Sequence, residues 1–250
     1  MAAIPTRSVP PTTNKVTVSL GTGATAASVK VGGIWGGGAV DTLVTGGLGD
    51  ATGNEVDVSG GTIGTGGIRG GVTFAGAASG NTVKVSGGVN LDLSGSGNIY
   101  GGYSYDVGAA SDNKVNVSNV NATNQEIYGG YSKKGSTDDN EVKLDLGAGQ
   151  SARNIYGGYT ESATTTDSAD GNTVTITGSG TILGEVAGGN ASVAGSAASA
   201  NKNTVSITGV GVNFGVFGGS GLNGNANNNT GHPRQLQCGR HRLRRLERQQ

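Results

Sequence analysis

The sequence predicts an all-β chain built as a β-solenoid of about seven coils, each about 27 to 32 residues long. A two-part unit recurs along the chain, short segments alternate apolar and polar residues, and 50 of the 250 residues are glycine. Alternation with a period of two predicts strands that have one buried face. Helices are excluded because each interior glycine costs about 1 kcal/mol relative to alanine.

The first half of the unit reads Asn-x-Val-x-(Val/Ile/Leu). It begins at Asn14, Asn54, Asn81, Asn113, Asn140, Asn172 and Asn203. Successive starts lie 40, 27, 32, 27, 32 and 31 residues apart. A repeat of this period, with insertions tolerated between copies, is typical of a solenoid. Because one unit cannot bury its own apolar face, we expect the units to stack in parallel with equivalent side chains in buried columns.

The leading asparagine of each unit has the same parity as the apolar positions that follow it. We therefore expect it to face inward or to stand at a corner of the coil. Stacked amides can donate to one neighbour and accept from the other, which offsets the cost of burying them. The alternative is a simple turn residue before a strand, and both roles fit the same position. The predicted structural column is Asn54, Asn81, Asn113, Asn140, Asn172 and Asn203.

The second half of the unit reads Ile-Tyr-Gly-Gly-Tyr in its best copies, which begin at Ile99, Ile127 and Ile155. Stacking predicts one column of tyrosines and a second column three residues further on. If the rings point outward, they form an aromatic strip for sugar rings. Otherwise they stack on one another and close the coil. The two columns are Tyr100, Tyr128, Tyr156 and Tyr103, Tyr131, Tyr159.

Charged residues at outward positions are expected to pair between coils. The alignment of the units places Asp57 beside Lys84 and Lys114 beside Glu141. Each exposed pair is worth no more than about 1 kcal/mol. Their predicted role is to fix the register between coils, because a slip of two residues keeps the valines buried but separates the charges.

Composition divides the chain into three parts: a disordered lead-in at 1–13, the solenoid at 14–230, and a disordered basic tail at 231–250. The tail holds six arginines against one glutamate, whereas 1–230 carries 11 basic and 16 acidic residues, a net charge of −5. A basic tail suits nucleic acid or anionic surfaces. The repeat unit stops partway through its motif at this point, which instead favours an out-of-frame or truncated end of the coding sequence. For the solenoid itself we expect no nucleic-acid binding and no membrane insertion.

Residues 1–230 contain neither histidine nor cysteine. This excludes histidine-based catalysis and His/Cys metal sites from that region, and we predict no cofactor, no metal and no catalytic residue. Carboxylates in neighbouring loops are the candidates for catalysis, because paired acids cleave glycosidic bonds. These are Asp138, Asp139, Asp167 and Asp170; the alternative interpretation is that they are solvated acids at turn positions.

The recurring Asn-x-Val-x-(Val/Ile) with (Ile/Val)-Tyr-Gly-Gly-Tyr resembles the glycine-rich β-helical passenger-domain repeats of bacterial autotransporter adhesins, over about residues 14–230. The resemblance implies a right-handed parallel β-helix that is exported to the bacterial cell surface or beyond. A whole member has a signal peptide and a C-terminal membrane barrel, so the resemblance makes this chain an internal fragment. It supplies no catalytic residue.

The function expected is therefore a non-enzymatic structural or adhesive stalk that presents variable loops. Its expected partners are host or surface glycans or proteins, with end-to-end self-association of the rod. The alternative is a carbohydrate-binding or polysaccharide-cleaving β-helix. For that function the candidate contacts are Tyr100, Tyr128, Tyr156, Asp138, Asp139 and Asp167.

Overall fold

The chain winds as a parallel β-solenoid, which confirms the predicted fold class. The computed structural model describes residues 13–19, 30–39, 49–87, 89–91, 97–191 and 196–234. In these residues it forms 19 strands, β1 to β19 in chain order, and no helix. All strand pairs are parallel, and each strand in the interior of a sheet pairs with its equivalents in the coils before and after it.

Three sheets run along the axis, with strands in the order in which they stack. The first contains β1 (Lys15–Val18), β3 (Glu55–Val58), β5 (Thr82–Val85), β8 (Lys114–Ser118), β10 (Glu141–Leu146), β13 (Thr173–Gly178), β16 (Thr204–Thr208) and β19 (Thr230–Arg234). The second contains β2 (Lys30–Ala39), β4 (Gly61–Thr73), β7 (Ile99–Ser104), β9 (Ile127–Ser132), β12 (Ile155–Thr160), β15 (Val186–Ala191) and β18 (Val216–Gly221). The third contains β11 (Ser151–Ala152), β14 (Thr181–Ile182) and β17 (Gly211–Val212), while β6 (Val89–Leu91) pairs with β4.

The core lies between these sheets and consists of columns of like side chains. The valine that follows each asparagine by two residues pairs with its equivalent in the next coil, as Val142 does with Val115 and Val174. The first and second sheets both contribute fully buried columns. Burial removes roughly 25 cal/mol of unfavourable hydration for each Å² of apolar surface. The columns are Val56, Val83, Val115, Val142, Val174, Val205 from the first sheet and Ile68, Ile99, Ile127, Ile155, Val186 from the second.

A column of asparagine side chains runs beside the valines. In each coil Nδ2 donates to Oδ1 of the asparagine in the next coil, and the backbone N–H donates to the same oxygen. The Nδ2–Oδ1 distance is 3.0 Å both from Asn113 to Asn140 and from Asn140 to Asn172. We call this set the asparagine column: Asn14, Asn54, Asn81, Asn113, Asn140, Asn172, Asn203 and Asn229. Burial of these amides is therefore compensated by hydrogen bonds in both directions.

The Gly-Gly pairs of the second sheet pack against the asparagine column. A Cβ on Gly101 would lie 2.7 Å from Cβ of Asn113, and one on Gly102 would lie 2.6 Å from its Nδ2. Separations below 3.0 Å are sterically prohibited, so no side chain fits there. The pairs Gly129–Gly130 and Gly157–Gly158 have the same relationship with the asparagine of the following unit. The two halves of the repeat are thus complementary surfaces.

The predicted register is correct, but the predicted ion pairs are wrong. Asp57 lies beside Lys84, and Lys114 lies beside Glu141. The ammonium of Lys84 instead binds Glu55, at 2.9 Å, and Glu141 pairs with Lys143 of its own strand. Glu55 reaches further than Asp57 and also takes Lys15, at 3.3 Å. The two hydrogen-bonded lysines lower the pKa of Glu55, with Lys84 the larger cause.

The expected boundary after residue 230 falls inside β19. This strand continues to Arg234 and pairs with β16, so that Gly231 lies beside Val205 and Pro233 beside Ile207. Backbone hydrogen bonds need no particular side chain, and a proline is tolerated where a strand pairs on one side. Residues 1–12 of the expected lead-in and 235–250 of the expected tail lie outside the described residues.

Candidate functional site

The outer face of the second sheet carries six tyrosines in two columns, which we call the aromatic face. In each strand the isoleucine points into the core, and the tyrosines join a separate cluster on the opposite side. Within the first column, ring centroids lie 4.9 Å apart from Tyr100 to Tyr128 and 5.1 Å apart from Tyr128 to Tyr156. The second column, Tyr103, Tyr131 and Tyr159, stacks at 4.8 and 5.5 Å.

The two tyrosine columns also contact each other edge to face. Tyr128 meets Tyr131 at 5.7 Å and Tyr159 at 5.6 Å between ring centroids. The first column is buried, with only 6 to 8% of Tyr100, Tyr128 and Tyr156 exposed, and the second is partly buried. The ring faces therefore stack on one another and present mainly edges and hydroxyl groups to solvent. Such pairs contribute about 0.5–1.5 kcal/mol each beyond the area they bury.

A column of alternating asparagine and glutamate runs alongside the first tyrosines: Asn98, Glu126, Asn154 and Glu185. Side chains of this column hydrogen-bond to the hydroxyl groups of the first tyrosine column. Tyr128 donates to Glu126 at 2.5 Å, and Tyr156 donates to Glu185 at 2.8 Å. Nδ2 of Asn154 donates to the other oxygen of Glu126 at 2.7 Å.

Burial is the main cause that raises the pKa of all six tyrosines. For Tyr103 it raises the pKa to about 12. Carboxylate acceptors raise the pKa further for Tyr128, Tyr131 and Tyr156, because a phenolate cannot donate to them. For Tyr131 the carboxylate acceptor is Glu161, which accepts a hydrogen bond from the tyrosine hydroxyl at 2.5 Å.

Trp35 and Arg69 extend the first tyrosine column toward the N-terminal coils. The register places Trp35 beside Arg69 and Arg69 beside Tyr100. The guanidinium carbon lies 5.4 Å from the ring centroids of Trp35 and Tyr100, and 5.3 Å from that of Tyr103. Sequence reasoning missed this site. The signal was present, because Trp35 and Arg69 follow Ile34 and Ile68 in the motif positions of the first tyrosine.

A shallow cleft of about 440 Å³ lies at the other end of the aromatic face. Its lining includes Arg153, Tyr156, Leu183, Glu185 and Phe214. Phe214 is 76% exposed, the most exposed of the large apolar side chains among the described residues. The cleft was also missed, because Phe214 lies outside the repeated motif.

Asp138 has a structural role in the loops. Its Oδ1 accepts the backbone N–H of Asp170 at 2.8 Å, and its Oδ2 accepts from Ser168 at 2.9 Å. The equivalent side chains from Ser79 to Asn201 each accept the backbone N–H of the equivalent residue in the next coil. We call this set the loop column: Ser79, Ser111, Asp138, Asp170, Asn201 and Asn227. Burial raises the pKa of Asp138, and the nearby charge of Asp170 adds to the effect.

Asp139 and Asp167 each have a structural role within their own loop. Asp139 has φ of 54°, and the equivalent residues Gly53, Gly80, Asp112 and Gly171 also have positive φ. Aspartate tolerates this conformation better than most residues. Asp167 accepts from Ser162 at 2.5 Å and from Thr164 at 2.8 Å within its own loop. Asp138 and Asp170 are thus brought together on adjacent coils, whereas Asp139 and Asp167 serve their own turns.

Within the described ranges, no group of three or more histidine, cysteine, aspartate or glutamate side chains is placed to hold a metal ion. Over the same ranges the chain has no helix long and apolar enough to cross a membrane. No protein-family model, curated protein or solved structure matches the sequence or the fold.

Proposed function

We propose that the chain is a structural and adhesive rod that presents its loops and aromatic face to partners and catalyses no reaction. The observation that carries this proposal is the asparagine column, which runs without a break from Asn14 to Asn229. Each coil is bonded through this column to both neighbours. A stack coupled in this way behaves as a stiff unit along its axis.

The inner residues repeat from coil to coil while the outer ones vary, and this pattern suits a display scaffold. The loops between each Gly-Gly and the next asparagine differ in length, from the segment before Asn140 to the longer one before Asn172. The loop column nevertheless holds them in register through backbone hydrogen bonds. Loops held on a rigid scaffold are a common place for binding residues.

The proposed setting is the surface of a bacterial cell, or the space outside it, as part of an autotransporter-like adhesin. The resemblance of the repeats supports this setting. The proposed partners are glycans or proteins of a host or of another surface. Cleavage of polysaccharides is the weaker alternative, because both candidate acids already accept hydrogen bonds within the protein. Asp138 accepts from Ser168 of the next coil, and Asp167 accepts from Ser162 and Thr164 of its own loop.

Retention of coated beads tests the proposal. Beads that carry the folded chain should be retained on surfaces coated with glycans or epithelial cells, without release of reducing sugar ends. Beads that carry Asn140→Ala, which breaks the column, serve as the matched control and should be retained less. Release of reducing ends by the wild-type chain, or equal retention of beads with and without protein, would contradict the proposal.

A further inference from the structure

Arg69 is a cation without a carboxylate partner in the part of the chain that the structure describes. Its Nη1 donates to the backbone oxygen of Gly66 at 3.0 Å, and its Nε is buried without a hydrogen-bond acceptor. The ion pairs of the described residues all involve lysines instead. The guanidinium is held in place by rings on both sides, so its position is defined before any ligand arrives.

Two exposed aromatic side chains lie close to this cation. Trp35, whose ring the guanidinium contacts, is 48% exposed, and Tyr105 is 38% exposed. Tyr105 contacts Tyr103 at 4.5 Å between centroids, and Tyr103 in turn contacts Arg69. The tyrosine faces are engaged with one another. The indole of Trp35 is therefore the aromatic surface next to Arg69 that remains open to a ligand.

We propose that Trp35 and Arg69 form a binding site for an acidic glycan, that is, a sugar chain that bears carboxylates. The C–H groups of a pyranose ring pack on the indole face, and the guanidinium binds the carboxylate through two parallel N–H groups. Arg69 is a single cation, which suits one carboxylate of such a glycan, whereas a polyphosphate backbone needs many cations. This inference rests on the proposed adhesive function and names its ligand class.

The test compares an oligogalacturonate with its fully methyl-esterified form by calorimetry on the purified chain. Wild type should bind the acid roughly tenfold more tightly than the ester, since the ester keeps the ring and loses the charge. Arg69→Gln should abolish this preference and leave binding of the ester unchanged. Arg69→Lys should keep part of the preference, because the charge remains without the planar fork.

The indole is tested separately. Trp35→Ala should weaken acid and ester together by roughly tenfold, and Trp35→Phe should restore part of the affinity. Far-ultraviolet circular dichroism and the unfolding midpoint establish that each variant is folded. Arg153→Gln is the matched control, because it removes an arginine of the other cleft and should have no effect.

Three results would overturn the inference. Equal binding of acid and ester to wild type would remove the role of the charge. Loss of binding in Arg153→Gln but not in Arg69→Gln would place the site in the cleft near Phe214. Tighter binding of a polyglutamate peptide than of the oligogalacturonate would make the ligand a protein. If beads are still retained on surfaces while uronate binding fails, the adhesive function stands and only its ligand is wrong.

Discussion

Gly158 packs so tightly against Asn172 that a Cβ on the glycine would lie 2.6 Å from Nδ2 of the asparagine. Gly158 lies in β12 of the second sheet, whereas Asn172 directly precedes β13 of the first, so the two come from opposite halves of the repeat. Their contact explains why Gly-Gly recurs wherever an asparagine heads the following unit. A larger residue at the glycine would push the second sheet away from the amides of the first.

Replacing Gly130 by alanine should destabilise the fold by about 3 kcal/mol or more. The new Cβ would collide with the carbonyl oxygen of Ala110 and would lie 2.7 Å from Nδ2 of Asn140. Gly211→Ala is the control, because its Cβ would meet nothing closer than 3.9 Å. We expect the control to be neutral or to gain up to about 1 kcal/mol. Urea unfolding followed by circular dichroism measures both, and similar losses would show that the close packing is wrong.

Asn140→Ala should cost about 2 to 5 kcal/mol of unfolding free energy. It leaves the backbone N–H and Nδ2 of Asn113 without their shared acceptor. Oδ1 of Asn172 loses the Nδ2 donor of residue 140 and keeps only its backbone N–H. Each orphaned buried group costs about 1–3 kcal/mol. Asn116→Ala, at an outward position of β8, should change stability by less than about 0.5 kcal/mol. Equal effects in chemical denaturation would refute the energetic role of the column.

Stability should fall at alkaline pH as the tyrosines ionise. Burial raises the pKa of Tyr103 from 10.0 to about 12, so the folded chain retains a proton that the unfolded chain loses in this interval. The contribution is complete below pH 10 and is lost as the pH rises through the folded pKa. Ultraviolet titration of phenolate should follow unfolding and not precede it. Six phenolates that form reversibly in a chain with native circular dichroism would count against the buried aromatic face.

Asp138→Asn should stabilise the chain at neutral pH by less than about 1 kcal/mol, because the site is still partly solvated. Asparagine keeps the acceptor for the N–H of Asp170, as Asn201 does for Asn227. Burial raises the pKa of Asp138 above 3.8, so ionisation disfavours the folded state as the pH rises above that value. The difference between the variant and wild type should therefore vanish at lower pH. A gain that persists unchanged in thermal melts at pH 3 and pH 7 would exclude this cause.

The repeated positions of the fold could be predicted from sequence because a solenoid converts a period along the chain into a column in space. The valines, the asparagines and the register of Lys84 with Asp57 all follow from this conversion. The partner of Lys84 could not be predicted in the same way. It depends on the length of the glutamate side chain at Glu55, two residues away from the aligned position.

The candidate site shows a similar division. The tyrosine columns follow from the motif, whereas the orientation of their rings depends on contacts between two columns that one motif does not describe. Arg69 occupies the position that tyrosine holds in the best copies of the motif, so a search for repeated tyrosines does not find it. Its importance arises because its guanidinium lies between the rings of Trp35 and Tyr100, and this arrangement exists only once the coils are stacked.

The two polar columns donate in opposite directions along the axis. Amides of the asparagine column donate to the following coil, as Asn140 does to Asn172, whereas in the loop column Asp170 donates back to Asp138. The junctions that these columns cross therefore share the same direction of donation. A gene that gains or loses one whole coil by duplication or deletion re-forms these bonds at the new junction, whereas a change of half a unit leaves an asparagine of the column without its partner in the next coil. The length of the protein is thus free to vary in steps of a complete coil.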